Sequence, residues 1–253
     1  MGTSLTLQLS EHVYALPIEA DLRMGRGLLY LALITDGVQG ATLVDTGTPG
    51  LLPAITAALG ELGLSPADLR RVVVTHHDLD HIGSLEAVVA ASGAEVLTSA
   101  AEVPYVQEGR RAQKMPPPER VAELMPHLPP EVREMLKNPP RVQVPVGRVL
   151  GDGELLDIAG GVRVIFTPGH TVGHLSLYVE GDGVLISGDA LTSAEGQLLP
   201  PMERATADMP EAMRSVTKLT QLPLGGILTY HGGWVSEDAA AQLRRIAAGG
   251  ATG

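Results

Sequence analysis

The chain of 253 residues contains no cysteine. That single absence excludes disulfides, thiolate metal ligands and a cysteine nucleophile, so any metal must be held by His, Asp or Glu. Basic residues are also few: Lys and Arg number 18 against 29 Asp and Glu, a formal net charge of −11 with a pI near 5.1. An acidic surface repels phosphate backbones, and the only basic clusters are the pairs Arg70-Arg71, Arg110-Arg111 and Arg244-Arg245. Nucleic acid is therefore not an expected partner. No long apolar run is present. The longest near the start, Leu28 to Ile34, is far too short to span a bilayer. Nor does a basic segment followed by an apolar stretch open the chain, so the expectation is a cytoplasmic protein with no membrane partner.

What is present is ordinary for a globular protein. Hydrophobic residues make up 44% and charged residues 19%, too apolar for disorder. The 30 glycines and 19 prolines imply many turns. A chain of this length buries roughly 70–75% of the surface its unfolded form exposes.

Apolar patterning alternates between strand and helix signals. Residues 4–18 read as one or two strands. Leu28–Thr35 and Ala41–Asp45 read as strands joined by the turn Asp36-Gly37-Val38-Gln39-Gly40. Leu51, Leu52, Ile55, Leu59 and Leu62 fall near 3.6-residue spacing and predict a helix stopped by Gly63. Arg71–Thr75 has the continuous apolar core of a strand covered on both faces. A helix is expected from Ile82 to Ala91 and a strand over Glu95–Thr98. Strands are expected again at Val142, Leu155–Ile158, Val162–Thr167, His174–Val179, Val184–Ser187 and Gly226–Tyr230. Helices are expected at Met209–Leu219 and Glu237–Ala247. Between about 100 and 145, prolines punctuate short helical stretches, among them Glu119–Met125 and Glu131–Leu136. This stretch reads as a helical insertion in a single domain spanning 1–253. It is expected to form a flap lined by Tyr105, Met115, Met125 and Met135, since Met adapts to varied ligands.

Six of the eight histidines lie in three short segments that follow or border expected strands. In Thr75-His76-His77-Asp78-Leu79-Asp80-His81, five of the six residues from 76 to 81 can ligate a metal. Crowding so many imidazoles and carboxylates costs desolvation and charge repulsion unless a cation compensates. Thr167-Pro168-Gly169-His170-Thr171-Val172-Gly173-His174 sets His170 at the tip of a turn. Ser187-Gly188-Asp189-Ala190 and Tyr230-His231-Gly232-Gly233 place a carboxylate and an imidazole at two further strand ends. If these loops share one edge, they supply His76, Asp78, Asp80, His81, His170, Asp189 and His231. Seven ligands exceed one four-coordinate ion and suit two ions sharing a bridging carboxylate and water.

Together with Leu43-Val44-Asp45-Thr46-Gly47, and in this order, these segments resemble the metallo-β-lactamase superfamily over nearly the whole chain. The resemblance implies an αββα sandwich, two mixed β-sheets flanked by helices, in the α/β (α+β) class. By matching positions it implies that His76, Asp78 and His170 hold a first ion and Asp80, His81 and His231 a second, with Asp189 between them. It gives Asp45 a supporting place beneath the ligands. His174 is expected to hydrogen-bond within its own turn. The chain departs from the family's His-x-His-x-Asp-His pattern at one place: Asp78 stands where the second His is expected, and His77, one residue off, points to the other face.

The resemblance implies two divalent ions, zinc in the first instance. The harder oxygen ligand at Asp78 admits iron or manganese. Such a pair lowers the pKa of a shared water and polarises a carbonyl, and Asp80 is the candidate to carry the proton to the leaving group. The expected activity is hydrolysis of an ester, thioester, lactone or amide of a small molecule. The alternatives are a diiron-type oxidoreductase on the same fold and a non-catalytic metal-binding scaffold. Tyr105, Met115, Tyr230 and Trp234 are the candidates for the substrate pocket, and a homodimer is the one assembly left open.

Overall fold

The computed structural model describes residues 5–249 apart from 23–24, 38–39, 129–132, 134–136 and 138–140. Its first sheet has seven strands in chain order: β1 (Leu7–Gln8), β2 (Val13–Leu22), β3 (Gly25–Thr35), β4 (Ala41–Val44), β5 (Leu69–Val73), β6 (Glu95–Ser99) and β7 (Arg148–Leu150). The pairs up to β3–β4 are antiparallel, and from β4–β5 onward they are parallel. The second sheet holds β8 (Leu155–Leu156), β9 (Val162–Phe166), β10 (Leu175–Val179), β11 (Val184–Ile186), β14 (Gly226–Thr229) and β15 (Gly233–Val235), in the order β15-β14-β11-β10-β9-β8. A separate hairpin pairs β12 (Thr192–Ala194) with β13 (Gln197–Leu199).

Period-two alternation sorts the side chains into layers. Val13 and Ala15 of β2, and Ala32 and Ile34 of β3, face Val162 and Val164 of β9 and Leu175, Leu177 and Val179 of β10 between the sheets. The alternate residues Leu16, Ile18, Leu29, Leu31 and Leu33 face outward. There they pack on Ile55, Ala58 and Leu59 of α1 (Leu52–Glu61) and Leu85 and Val88 of α3 (Leu85–Ser92). On the far side Ile165, Tyr178, Leu185 and Ile227 pack on Val216 and Leu219 of α6 (Met209–Leu219) and on Leu243 and Ile246 of α7 (Ala239–Ala247). The result is the four-layer αββα sandwich. Each fully buried Leu or Ile contributes about 1.5–3 kcal/mol of transfer free energy, so apolar residues on both faces of each sheet commit the chain to these layers.

Some local expectations are corrected. Val142 is not in a strand: Val142 and Val144 are buried in an extended loop, where Val144 N–H donates to Val106 O, and the pairing strand lies at Arg148–Leu150. The single helix expected from Ile82 is two, α2 (Leu79–Ile82) and α3. Gly83 packs against Pro49 at a distance no Cβ would tolerate, and Ser84 Oγ donates to Thr48 O (2.6 Å) and accepts Leu51 N–H (2.8 Å). The strands β12, β13 and β15 escape the pattern because three residues are too few to show alternation. Within the proline-rich stretch the structure shows α4 (Val103–Val106) and α5 (Pro118–Leu124). The helix expected at Glu131–Leu136, with Met135, lies largely outside the described residues. Among the described residues no helix is long and apolar enough to cross a membrane.

What positions the site is one shared edge. The parallel pairs β4–β5 and β11–β14 both leave their C-terminal ends there, the usual location of ligand sites in such sheets. Two cross-sheet bonds stitch it: Leu175 N–H to Thr75 O (3.1 Å) and Tyr30 N–H to Tyr230 O (3.0 Å). Gly169, in the β9–β10 loop, has φ +127°, and a Cβ on it would lie 2.2 Å from Ala212 N in α6. Gly169→Ala is expected to cost at least about 2 kcal/mol through backbone strain and overpacking. A urea denaturation midpoint equal to that of the wild type would contradict this close approach.

Candidate metal centre

Five loops supply the edge. The loop after β4 carries Asp45, and the one after β5 carries His76 to His81. The β9–β10 turn carries His170 and His174, the loop after β11 carries Asp189, and the one after β14 carries His231. All seven residues expected as ligands are brought together. Asp78 Oδ2 lies 3.3 Å from His76 Nε2 and 3.1 Å from His170 Nε2. Asp80 Oδ2 lies 3.3 Å from His231 Nε2. Asp189 stands between, with Oδ2 3.3 Å from His170 Nε2 and 3.5 Å from His231 Nε2, and Oδ1 3.4 Å from His81 Nε2. The donor atoms fall into three groups, His76-Asp78-His170, His76-His81-Asp189 and Asp80-His81-His231, each with its atoms within 4.8 Å of one another.

Three of these atoms are buried without a hydrogen-bond partner among the described residues: His76 Nε2, His81 Nε2 and Asp189 Oδ1. A buried orphan of this kind costs about 1–3 kcal/mol, and three turned into one cluster are what a cation relieves. The titration behaviour fits. Burial opposes ionisation of Asp78 and Asp189, yet the surrounding imidazoles hold both carboxyls below the usual range, with Lys114 assisting at Asp78. Burial likewise opposes protonation of His231, but Asp189 and Asp80 push it up to about 9. Against the same burial, Asp189 and Asp45 raise His81. The site thus concentrates negative charge that attracts positive charge. Its residues fit divalent metal.

Hydrogen bonds behind the ligands set their tautomers. Asp45 Oδ1 accepts Thr75 N–H (2.8 Å). Its Oδ2 accepts both Thr75 Oγ1–H (2.7 Å) and His81 Nδ1–H (2.8 Å). With its proton on Asp45, Thr75 Oγ1 is left to accept His76 Nδ1–H (3.0 Å). Both histidines therefore keep a proton on Nδ1 and turn Nε2 toward the cluster. Asp45 achieves this with φ 61°, a left-handed backbone that short polar Asp tolerates better than most residues. His174 is buried and, beside His170, is pushed down to about 3. Its Nδ1–H donates to Thr167 Oγ1 (2.8 Å) within its own turn, and its Nε2 accepts the Asp189 N–H (3.0 Å), bracing the loop after β11 as well.

The pocket candidates separate. Tyr230 is 3% exposed, stacks on His81 at 3.8 Å, and donates its hydroxyl to Asp80 O (2.5 Å). It supports the ligands from beneath and presents no hydroxyl to a substrate. Trp234 packs into the inter-sheet core with its six-membered ring over Gly226, at the end of β14 away from His231. Tyr105 stacks on His77 at 3.8 Å, behind the ligand loop. Met115 is half-buried beside Lys114.

Two functional residues were not read from the sequence. Glu102, fully buried, accepts Thr171 Oγ1–H (2.6 Å) and Gly173 N–H (3.1 Å) on Oε1 and His77 Nδ1–H on Oε2. It clasps the His76–His81 and His170–His174 loops together, which explains why His77 points away from the cluster. Lys114 reaches Asp78 and His170 directly. Neither sits in a motif, although Lys114 is one of only three lysines.

Comparison with known proteins agrees with this geometry. Residues 30–238 match the sequence model of the metallo-beta-lactamase superfamily. A probable metallo-hydrolase of Bacillus subtilis is 26% identical over 218 residues, 81% of this chain and 80% of that protein. A hydroxyacylglutathione hydrolase of Albidiferax ferrireducens is 30% identical over 73% of this chain, and one of Rhodobacter capsulatus is 30% identical over 60%. Those matches take in 59% and 45% of the two hydrolases, less than two thirds of their own length. Among solved structures, a metallo-beta-lactamase family protein of Thermus thermophilus superposes with a TM-score of 0.71 at 28% identity, covering 96% of this chain and 80% of that one.

Replacing Glu102 by Ala strands three buried donors at about 1–3 kcal/mol each. The expected loss of stability is at least about 3 kcal/mol by chemical denaturation, with Glu102→Gln in between because it keeps the oxygen that Thr171 and Gly173 use. Equal losses for the two variants would contradict the clasp. Asp45→Asn, which presents an amide to His81 Nδ1, should weaken metal binding about 10- to 100-fold, read by titration against a chelator.

Proposed function

Because the chain belongs to the metallo-β-lactamase superfamily and is a metallo-hydrolase of that group, we propose that it holds two divalent ions and hydrolyses a thioester or ester of a small molecule. The observation that carries this reading is the convergence of seven candidate donors, three of which turn buried atoms without a hydrogen-bond partner among the described residues into the cluster. His76, Asp78 and His170 would hold one ion, and Asp80, His81 and His231 the other. Asp189, within reach of members of both groups, would serve the two. The likeness to hydroxyacylglutathione hydrolases favours a thioester.

Ions bound there would acidify a water, polarise the scissile carbonyl and offset the charge that develops on its oxygen. The chain's own residues supply the rest. Asp80 is the most accessible of the three carboxylates, 32% exposed against 19% for Asp78 and 9% for Asp189. It is the group placed to accept the attacking water's proton and return it to the leaving atom. Asp45 and Thr75 keep His81 and His76 in the tautomer that turns Nε2 inward. No side-chain nucleophile is called for. Zinc is the metal expected first, and Asp78 adds an oxygen donor where imidazole would favour zinc more strongly.

Chelation should abolish hydrolysis of an acyl-thioester and ester panel, and zinc should restore it. Full metal loading with no turnover on any member would overturn the hydrolytic reading. Iron with a visible charge-transfer band in protein purified without added metal would favour the redox alternative that Asp78 permits. Asp189→Ala should lose both ions and Asp78→Ala one, by metal counting after gel filtration. Two tightly held equivalents in Asp189→Ala would refute a shared ligand.

A further inference from the structure

Lys114 lies in the segment between α4 and α5, and its ammonium enters the cluster itself. Nζ donates to Asp78 Oδ2, to His170 Nε2 (2.8 Å) and to Ala205 O (2.9 Å). An ammonium has three N–H donors and no acceptor, so these three partners saturate it. Two of the three are the lone pairs that, with His76 Nε2, make up the first donor group. None belongs to the second group of Asp80, His81 and His231.

We propose that Lys114 is a built-in competitor for the first metal position: its ammonium and a divalent ion use the same lone pairs of Asp78 and His170 and exclude each other. This rests on the two-ion reading above and deepens it by ordering the two binding events. The second group, with Asp189, takes its ion with no ammonium on its donors. The first group takes one only when Lys114 swings away, giving up charge-assisted hydrogen bonds and moving its positive charge from the incoming ion.

The surrounding contacts make that swing local. The neighbouring residue Gln113 pins the segment to both ligand loops, its N–H donating to His77 Nε2 (3.2 Å) and its Oε1 accepting Val172 N–H (2.9 Å). Those anchors do not involve the Lys114 side chain. That side chain is 21% exposed, so it has a route to solvent without the segment lifting. The chemistry also accounts for a lysine among so few: a cation that neutralises Asp78 relieves the same buried charge that an ion would, and so holds the donor group in shape until the ion arrives.

The test titrates zinc into the metal-stripped full chain against a chromophoric chelator, with bound metal counted after gel filtration. The wild type should bind one equivalent tightly and a second more weakly. Lys114→Met should leave the first equivalent unchanged and tighten the second about 10- to 100-fold, the worth of displacing a charged hydrogen bond. Lys114→Arg should behave as the wild type. Adding Asp78→Ala to Lys114→Met should remove the tightened equivalent, which assigns it to the first group. Thermal melting of the metal-free variants checks that each is folded. Two equally tight equivalents in both wild type and Lys114→Met would overturn the competition while leaving two ions in place. A single equivalent in both would overturn the competition and the two-ion reading together.

Discussion

A single buried carboxylate joins the sandwich to its site. Asp45 ends β4 in a left-handed turn and accepts the Thr75 N–H, the Thr75 hydroxyl and the His81 Nδ1–H. The first of these bonds continues the parallel pairing of β4 and β5 past the last paired residues. The other two decide which nitrogens of His76 and His81 face the cluster. A charged acceptor is worth roughly twice a neutral one, so one residue serves both the backbone at the sheet's edge and the lone pairs of the site. The strain at Asp45 is held because the bonds on both carboxylate oxygens over-determine its position.

Charge balance governs what surrounds it. Asp78, Asp80 and Asp189 lie within 3.5 Å of the imidazoles that draw their protons off. Behind them the buried Glu102 and the paired tautomers of His77 and His174 lock the loops that carry the ligands. Carboxylates crowded on one buried edge demand positive charge to balance them. Metal is one remedy and the Lys114 ammonium is another, and both act on the same lone pairs.

Much of this was legible in the sequence. The continuous apolar strands announced sheets covered on both faces, and α6 appeared at the residues expected, where the structure adds Asp208 as its N-cap. All seven candidate donors could be named because polar residues able to bind metal are conspicuous at the ends of apolar strands, and the fold brings them together. His77 was correctly excluded from the cluster by its place in an extended loop. Less legible were Tyr230 and Trp234. An aromatic beside a candidate ligand looks the same in sequence whether its ring lines a pocket or, as for Tyr230, stacks on His81 beneath the donor cluster.

Spacing and residue chemistry pointed to two sheets with helices outside and to the seven candidate donors, because these depend on local periodicity and on side chains adjacent in the chain, and the resemblance to the family added the four layers and marked the departure at Asp78. Only the tertiary structure decided the partners of residues distant in sequence: Glu102 with the loops of His77 and Thr171, and Lys114 with Asp78 and with His170, 56 positions further on. A hydrogen bond or ion pair across such a separation leaves no periodic trace. It forms because folding of the two sheets closes the distance, and the cost of burying a charge then demands a partner wherever the chain brings one.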